Sequence, residues 1–247
     1  MNDRQKRIYE IIVKLGNVRT DHLEKEVFAS AATIRRDLKK MESMKLISRV
    51  WGGAVPYGKA NTDPPSFVRE SVKTDAKRKI ARKALPFISE KDSIFIPSGS
   101  TVTELCKILD SFKDLTVITN CLNVVNVLKT YTSFNVLVLG GELYEQYDFV
   151  GSLTTSFINR LSADLFFFSC SGITAEGFTS EDINRLDVID AMRRNSGKCI
   201  LLCDTSKVGK KCTYKGFDFD KIDFVIMNEP PKDAALIKVL GKKLVTA

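Results

Sequence analysis

The chain has 247 residues, 44% hydrophobic and 28% charged, which is the composition of an ordinary globular protein of one or two domains. No apolar run approaches the roughly 18 residues of a membrane span, and the polar segment from Met1 to Arg7 leads into no apolar signal segment. Six cysteines without a C-x-x-C pair indicate reduced thiols in the cytoplasm. These features argue against a membrane protein, a secreted disulfide scaffold and a zinc protein.

Most of the net charge of +8 lies near the N-terminus. Residues 1–60 hold 13 Lys and Arg against 7 Asp and Glu, and residues 61–90 hold 7 against 4. The rest of the chain is close to neutral. A basic region before a near-neutral body favours a segment that binds a polyanion, with a solvated basic face as the alternative from charge alone.

Apolar spacing and capping residues predict three helices in the first fifty residues. The first runs from Gln5 to Leu15 and ends at Gly16-Asn17. Thr20 is a candidate N-cap for a short second helix, and Ser30 is one for a third helix that runs to about Ser43. The tight connection between the last two helices is typical of a helix-turn-helix.

The third helix has one apolar and one basic face. Ile34, Leu38 and Met41 repeat at helical spacing and predict a buried stripe. The opposite face is rich in small and basic residues, namely Ala32, Arg36, Lys39 and Lys40, flanked by Thr33 and Arg35. Such a face suits a recognition helix in the major groove of DNA, although a short basic helix alone is usually just an exposed surface.

Two short extended runs follow in residues 46–55, with glycines near the bend, as in the wing of a winged helix. The segments Thr33-Ile34-Arg35-Arg36-Asp37-Leu38 and Arg49-Val50-Trp51-Gly52-Gly53-Ala54 resemble the N-terminal winged helix of the DeoR family of bacterial transcriptional regulators. That family usually has His or Tyr where this chain has Trp51. The candidate DNA-binding residues are Thr20, Ser30, Ala32, Thr33, Arg35, Arg36, Lys39, Lys40, Arg49, Trp51 and Gly52.

Residues 57–66 contain a Pro-Pro pair and show no hydrophobic periodicity, which predicts a linker. The expected organisation is a winged helix-turn-helix over residues 1–56, a linker over 57–74 and a second domain over 75–247. A helix is predicted from Lys73 to Leu85, with a basic face that either lies along DNA or, as we prefer, solvates the joint. That face comprises Lys77, Arg78, Lys79, Arg82 and Lys83.

Strands and helices alternate in the second domain. Strands are predicted at residues 93–96, 115–119, 136–139, 165–168, 199–203 and, as the last, 224–227. Helices are predicted at residues 102–109, 122–128, 153–161, 182–194 and 233–240. This alternation predicts a Rossmann-like α/β domain with a parallel sheet covered on both faces.

Ligands of such sheets bind beyond the carboxyl ends of the strands, where this chain places small and hydroxylic residues. Ser98-Gly99-Ser100-Thr101 opens a helix, so hydroxyls, backbone N–H groups and the helix dipole are able to hold a phosphate. Lys207 is able to supply the countercharge. The candidate effector-binding residues are Ser98, Gly99, Ser100, Thr101, Asn120, Gly140, Gly141, Glu142, Gly172 and Lys207.

The second domain also resembles the DeoR-family sensor domain, whose fold is akin to ribose-5-phosphate isomerase. The matching segments include Thr119-Asn120, Gly140-Gly141-Glu142-Leu143 and Asp204-Thr205-Ser206-Lys207. The family usually has Asp near the position of Pro97. The resemblance implies a cytoplasmic regulator, more often a repressor, that binds double-stranded operator DNA and a phosphorylated sugar or polyol. Since a palindromic operator is bound by two DNA-binding domains, we expect a homodimer or homotetramer with no membrane partner.

A sugar-phosphate isomerase is the alternative from another class. Isomerisation needs a base for a carbon-bound proton and a group that steadies the enediolate. The corresponding strand end, Cys170-Ser171-Gly172-Ile173-Thr174, has no carboxylate. Glu176, Glu181 and Asp182 lie nearby at unrelated spacing and are expected to be exposed loop acids. The sequence therefore favours a binding protein over an enzyme.

Other chemistry-bearing patterns point to structural roles. His22 is the only histidine, which argues against a Ser-His or Cys-His nucleophile. Cys199 and Cys203 share one face of a predicted strand, where core packing explains them better than a metal. The glycines form neither a P-loop nor G-x-G-x-x-G. We expect no catalytic residue, no metal and no cofactor.

Overall fold

The computed structural model describes residues 1–44, 46–57, 73–130, 134–145 and 147–247. The chain divides into two compact units, residues 1–72 and 73–247. Most of the predicted linker, including its Pro-Pro pair, lies outside the described residues. None of the helices in the described ranges combines the length and apolar character that a membrane crossing needs.

The N-terminal unit is a three-helix domain with a small antiparallel sheet. The helices are α1 (Asp3–Leu15), α2 (Thr20–Val27) and α3 (Ala31–Ser43). The strands are β1 (Val18–Arg19), β2 (Ile47–Val50) and β3 (Gly53–Pro56), in the order β1-β3-β2. The three predicted helices and the predicted wing hairpin are confirmed. The two-residue strand β1 is too short to leave a periodic signal.

Side-chain caps define where these helices begin. Asn2 and Gln5 form a reciprocal capping box at the start of α1, and Ser30 caps α3 by accepting from the Thr33 N–H. The predicted cap at Thr20 is wrong, because Thr20 is already the first residue of α2. β1 pairs with β3, and this pairing brings the Thr20 hydroxyl to the Gly52 carbonyl, to which it donates at 3.1 Å.

The apolar stripe of α3 is buried as predicted, in one core with α1, α2 and the wing. The wing approaches β1 so closely that a Cβ on Gly53 would lie 2.2 Å from the Val18 carbonyl oxygen. A side chain at Gly53 would therefore push the wing away from β1.

The C-terminal unit alternates helices with strands. Its helices are α4 (Thr74–Ala84), α5 (Ser100–Cys106), α6 (Leu122–Leu128), α7 (Ser152–Ile158), α8 (Ile183–Arg194) and α9 (Ala234–Leu240). The strands of its main sheet are β4 (Ser93–Phe95), β5 (Thr116–Thr119), β6 (Asn135–Val138), β9 (Ala163–Phe168), β12 (Ser196–Cys203), β14 (Phe224–Met227) and β15 (Leu244–Thr246). Two shorter antiparallel elements lie between these strands. One is the hairpin β7 (Glu142–Tyr144) and β8 (Asp148–Val150); the other joins β10 (Gly172–Thr174), β11 (Gly177–Ser180) and β13 (Tyr214–Lys215).

The seven strands of the main sheet are all parallel, in the order β15-β14-β12-β9-β4-β5-β6. The chain moves outward from β4 to β6, then returns to β9 on the other side of β4. The strand order therefore reverses between β4 and β9, the usual place for a ligand crevice in an open α/β sheet. The predicted parallel sheet is confirmed, but β14 is not its last strand, because the three-residue β15 pairs with β14 at the sheet edge.

Alternate side chains of the central strands feed two separate cores. Phe166 and Phe168 of β9 lie in one core, while Leu165 and Phe167 lie in the other. This alternation confirms that helices cover both faces of the sheet. Cys199 and Cys203 belong to the same core, as the packing interpretation expects.

The predicted basic face of α4 needs one correction, because Lys77 is only 4% exposed. It lies on the helix face that also carries Ile80, Ala81 and Ala84, which pack into the core. Arg78, Lys79, Arg82 and Lys83 are exposed, as the prediction has it.

Candidate functional sites

The outer face of α3 is a basic surface in the N-terminal unit. Arg35, Arg36, Lys39 and Lys40 are exposed on it, together with Ala32 near its N-terminal end. Thr33 is half-buried, and its hydroxyl lies 3.0 Å from the Ser30 hydroxyl. The helix therefore begins with small hydroxylic groups and continues into cations, the arrangement that a major-groove helix uses.

The wing places an aromatic side chain at its tip. Trp51 is fully exposed in the turn between β2 and β3. Arg49 is exposed too, and its backbone N–H donates to a carboxylate oxygen of Glu42 on α3 at 2.9 Å. Gly52 and Thr20 are joined by hydrogen bonds, so their polar groups hold the wing to the start of α2.

The orientation of α3 depends on a buried carboxylate that the sequence reasoning did not single out. Asp37 is 4% exposed and accepts from Arg4 Nε at 2.6 Å and from Gln5 Nε2 at 2.8 Å, both on α1. The available signal was an acidic residue within a basic helix, next to the apolar stripe. This contact ties the recognition helix to the rest of the unit.

In the C-terminal unit, two loops meet where the strand order reverses. A Cβ on Gly99, after β4, would lie 2.3 Å from the Ser169 hydroxyl, after β9. Ser98, Gly99 and Ser100 are half-exposed, whereas Thr101 is 4% exposed within α5. The serine hydroxyls thus line this edge of the sheet, and Thr101 packs beneath them.

Asn120 follows the neighbouring strand β5 and carries an unsatisfied acceptor. Its side-chain Nδ2 donates to the Phe149 carbonyl at 2.8 Å, and its backbone carbonyl accepts from the Phe149 N–H. These bonds fix the orientation of the amide group. Among the described residues no donor reaches the buried Oδ1 atom, although a buried acceptor without a partner is costly.

Close packing accounts for two of the predicted effector glycines. A Cβ on Gly141 would lie 2.0 Å from the Thr154 hydroxyl of α7, although Gly140, Gly141 and Glu142 are exposed. Gly172 follows β9, as predicted, but it is not in a loop. It is part of β10, where a Cβ would lie 2.3 Å from the Lys210 carbonyl oxygen.

The loop after β12 brings the predicted cation to the same edge. Asp204 is 4% exposed, and its carboxylate accepts from the Ser206 N–H at 3.0 Å and from the Ser206 hydroxyl. This turn presents Lys207, which is half-exposed, at the carboxyl end of the sheet. Ser98, Ser100, Asn120 and Lys207 thus follow three strands that end at one edge.

An ionic cluster beside this edge was not predicted. Arg185 of α8 donates to Asp148 of β8 at 2.8 Å and to Glu145 at 2.7 Å. Burial lowers the pKa of Arg185, but the two carboxylates raise it further, above its ordinary value. The cluster fastens the hairpin β7–β8 to the first turn of α8.

The acids near β10 have different surroundings. Glu176 is exposed, as expected, and its carboxylate accepts from Lys211 at 2.8 Å. Glu181 and Asp182 are half-buried, so the expectation of exposed loop acids is wrong for them. Asp182 caps α8 by accepting from the backbone N–H groups of Asn184 and Arg185. Among the described residues, no group of three or more His, Cys, Asp or Glu side chains is placed to hold a metal ion.

A winged helix with an exposed basic recognition helix, carried in one chain with an α/β domain, defines a DNA-binding regulator with a separate sensor domain. The chain belongs to the DeoR family, since the DeoR-like helix-turn-helix domain matches residues 4–58 and the DeoR C-terminal sensor domain matches residues 72–229.

Similar proteins share nearly the full length of the chain. It is 32% identical to the glycerol-3-phosphate regulon repressor of Escherichia coli K12, over 92% of this chain and 91% of that protein. It is 28% identical to the transcriptional regulator IolR of Bacillus subtilis, over 93% of this chain and 92% of that protein.

Among solved structures, ribose 5-phosphate isomerase A from Neisseria gonorrhoeae matches 55% of this chain and 53% of its own, with 18% identity and a TM-score of 0.41.

Proposed function

We propose that this regulator represses genes of sugar or polyol use, and that a phosphorylated sugar or polyol changes its affinity for double-stranded operator DNA. The exposed cations on α3, in a domain of the DeoR helix-turn-helix type, carry the DNA-binding half of this proposal. The name of the Escherichia coli relative, a glycerol-3-phosphate regulon repressor, supports the half that concerns sugar or polyol use. The protein acts in the cytoplasm, without a cofactor, as a homodimer or homotetramer. Its paired DNA-binding domains match a palindromic operator.

We assign DNA binding, the link between the domains and effector binding to three separate segments. Residues 1–56 bind DNA, residues 57–74 link the two domains, and residues 75–247 bind the effector. The contacts to DNA come from the outer face of α3 and from the wing, through Arg49 and Trp51. The Thr20–Gly52 contact positions the wing for this.

Arg36 tests the DNA-binding half. If its guanidinium binds a base edge, Arg36→Ala weakens operator binding by about 1–3 kcal/mol, or roughly 5- to 150-fold. The measurement is a titration of fluorescently labelled DNA from the regulator's own promoter region at fixed salt. Lys14→Ala is the matched control, since Lys14 is an exposed cation of α1 outside the recognition face. Equal affinities for Arg36→Ala and the unmodified protein would remove Arg36 from the interface.

The effector site is supported by four groups at one edge of the sheet. The hydroxyls of Ser98 and Ser100, with nearby backbone N–H groups, suit phosphate oxygens, and Lys207 offsets the phosphate charge. The buried Oδ1 of Asn120, which no donor of the described residues reaches, accepts a hydroxyl of the sugar or polyol, and this bond compensates for its burial. A phosphorylated polyhydroxy compound satisfies both kinds of group.

Thermal unfolding against a panel of sugar phosphates, each paired with its unphosphorylated parent, tests this site. Glycerol 3-phosphate with glycerol and ribose 5-phosphate with ribose begin the panel. A ligand at about 100 times its Kd adds about 2.7 kcal/mol of stability, a readable rise in midpoint. We expect a shift with one phosphate and none with its parent. A panel without any shift would contradict the proposed site.

Two variants connect that shift to named residues. Ser100→Ala and Lys207→Ala should each reduce the ligand-induced shift, because hydrogen bonds to charged groups contribute roughly 1.5–3 kcal/mol. Operator binding without ligand should stay unchanged. Loss of operator binding in either variant would show that the residue is structural instead.

Binding rather than turnover fits the residues at the reversal of the strand order. The loop after β9 offers Ser169, Cys170 and Ser171, with no carboxylate that could move a carbon-bound proton. We therefore propose that the chain has no isomerase activity. Incubating the protein with the compound that stabilises it, followed by chromatography, tests this directly; conversion to a ketose or aldose isomer would contradict it.

A further inference from the structure

Two thiols lie side by side at the carboxyl edge of the main sheet. Cys203 is the last residue of β12, and Cys170 lies two residues beyond the end of the neighbouring strand β9. Because Leu201 pairs with Phe168, the register places Cys203 opposite Cys170. Their Sγ atoms are 3.7 Å apart, and both cysteines are free thiols.

The strand register places the two Cα atoms near the separation that a disulfide needs. A disulfide needs Cα atoms about 4.4–6.8 Å apart and an S–S bond of about 2.05 Å. Residues paired across neighbouring strands lie about 4.8 Å apart. Rotation of the two side chains, with a small shift of the loop after β9, is then enough to close the gap between the sulfur atoms.

The two thiols differ in access to solvent. Cys170 is half-exposed, whereas Cys203 is 2% exposed. The hydrogen bond with Cys170 and burial raise the pKa of the Cys203 thiol. A small oxidant therefore reaches Cys170 first, and Cys203 is positioned as the second thiol.

We propose that Cys170 and Cys203 form a reversible disulfide when the protein meets a hydroperoxide, and that this bond weakens effector binding at the neighbouring loops. Formation of the disulfide is inferred from the geometry of the two cysteines alone. Its effect on effector binding rests on the proposed function.

The reaction balances with hydrogen peroxide as the oxidant. The Cys170 thiolate attacks one peroxide oxygen, the O–O bond breaks, and the departing hydroxide takes a proton to become water, which leaves a sulfenic acid on Cys170. The Cys203 sulfur then attacks the Cys170 sulfur, and the S–OH bond breaks. The hydroxyl leaves as water with the Cys203 proton. Two thiols lose two electrons in all, and the peroxide gains them.

The bond lies between loops that carry candidate effector groups. Ser169, next to Cys170, is the residue that approaches Gly99 in the loop after β4, which also carries Ser98. Asp204, next to Cys203, holds the turn that presents Lys207. Drawing the two sulfurs together moves Ser169 relative to Gly99, so the disulfide alters the spacing of the serine hydroxyls and Lys207.

The first test is a peptide map of the full-length protein after brief treatment with hydrogen peroxide and alkylation of the remaining thiols. We expect a peptide that links Cys170 to Cys203, with a mass lower by two hydrogens, and its disappearance after dithiothreitol. Cys170→Ser should abolish the linked peptide. Cys212→Ser, which removes the other half-exposed cysteine, should leave it intact. Oxidation of Cys170 to a sulfinic acid without a linked peptide would overturn the proposal.

The second test compares reduced and oxidised protein in thermal-shift titrations with glycerol 3-phosphate and ribose 5-phosphate. We expect the half-saturating concentration of the stabilising compound to rise at least about tenfold after oxidation, and Cys170→Ser to prevent the change. Equal concentrations in the two states would overturn the regulatory half. A linked peptide in a protein that neither compound nor the wider panel stabilises would confirm the disulfide and reject the effector site, so the two proposals fail separately.

Discussion

At the scale of single residues, Asp37 shows how a charge can position a recognition helix without touching DNA. Its two carboxylate oxygens bind Arg4 and Gln5 of α1 from the inner side of α3. Gln5 is 2% exposed, so its amide depends on Asp37 for an acceptor. The outer cations of α3 are thereby held at a fixed angle to the rest of the unit.

We predict that Asp37→Ala destabilises the N-terminal unit by about 1–3 kcal/mol, because the buried Gln5 amide loses its acceptor. Hydrogen–deuterium exchange of the α1 and α3 amides in the full-length protein, measured at increasing urea concentration, reports the loss in this unit. Asp3→Ala is the control, since Asp3 pairs with Lys6 at the exposed surface, where such pairs contribute about 0–1 kcal/mol. Equal losses in the two variants would show that the buried network adds no stability.

Residue-level predictions succeeded where local spacing decided the outcome. The stripe of Ile34, Leu38 and Met41 and the cap at Ser30 follow from local patterns, and the structure confirms both. Lys77 was predicted to be exposed because it is charged. Helical spacing places it on the buried face instead, since Ile80 and Ala84 follow three and seven residues later. The Oδ1 atom of Asn120, which has no donor in the part of the chain that the structure describes, could not be predicted, since its position depends on contacts with Phe149, far along the chain.

At the scale of elements, a polar contact joins the two strands between which the strand order reverses. Ser93 opens β4, and its N–H and hydroxyl both donate to one carboxylate oxygen of Asp164 in β9, at 2.8 and 2.6 Å. These hydrogen bonds hold the pKa of Asp164 below its usual value. The contact lies at the amino ends of the strands, at the edge opposite the proposed effector site.

This lowered pKa predicts a pH dependence of stability. Asp164 titrates at lower pH in the folded chain than in the unfolded chain, so its contribution is present above its unfolded pKa of about 3.9 and is lost as the pH falls through the folded value. Asp164→Asn should therefore lose less stability between pH 5 and pH 3 than the unmodified protein. Urea midpoints across that range, with exposed Asp114→Asn as the control, provide the comparison. Identical pH profiles for Asp164→Asn and the unmodified protein would contradict the role assigned to Ser93.

Most elements of the main sheet were predicted from the sequence, and the short strands outside it were not. Six strands of the parallel sheet and its helices lie within a few residues of their predicted positions, because buried strands and amphipathic helices leave clear apolar patterns. The strands β7, β8, β10 and β13 have two or three residues each, too few for a pattern. The place of Gly172 in β10 was missed for this reason, and the close approach that requires glycine there involves Lys210, in a distant segment.

At the scale of the whole molecule, the excess of positive charge is concentrated in the N-terminal unit, which is proposed to bind DNA. Residues 1–60 carry a net charge of +6 within a total of +8, and the cations of α3 are exposed. Neutralising DNA phosphates releases condensed counterions, so binding by such a unit weakens steeply as salt rises. The near-neutral remainder of the chain leaves the sensor domain free to select ligands by local groups rather than by net charge.

Salt dependence therefore separates phosphate contacts from base contacts on α3. Each phosphate contact contributes about 0.9 to the slope of log Kobs against log salt concentration. If Lys40 contacts a phosphate, Lys40→Gln should reduce the slope by about 0.9 and weaken binding to operator and unrelated DNA alike. Arg36→Ala, in contrast, should reduce the preference for operator over unrelated DNA. Titrations at four salt concentrations with both DNAs distinguish these effects. If Lys40→Gln left the slope unchanged, Lys40 would lie outside the DNA contact, and the basic face of α3 would be narrower than proposed.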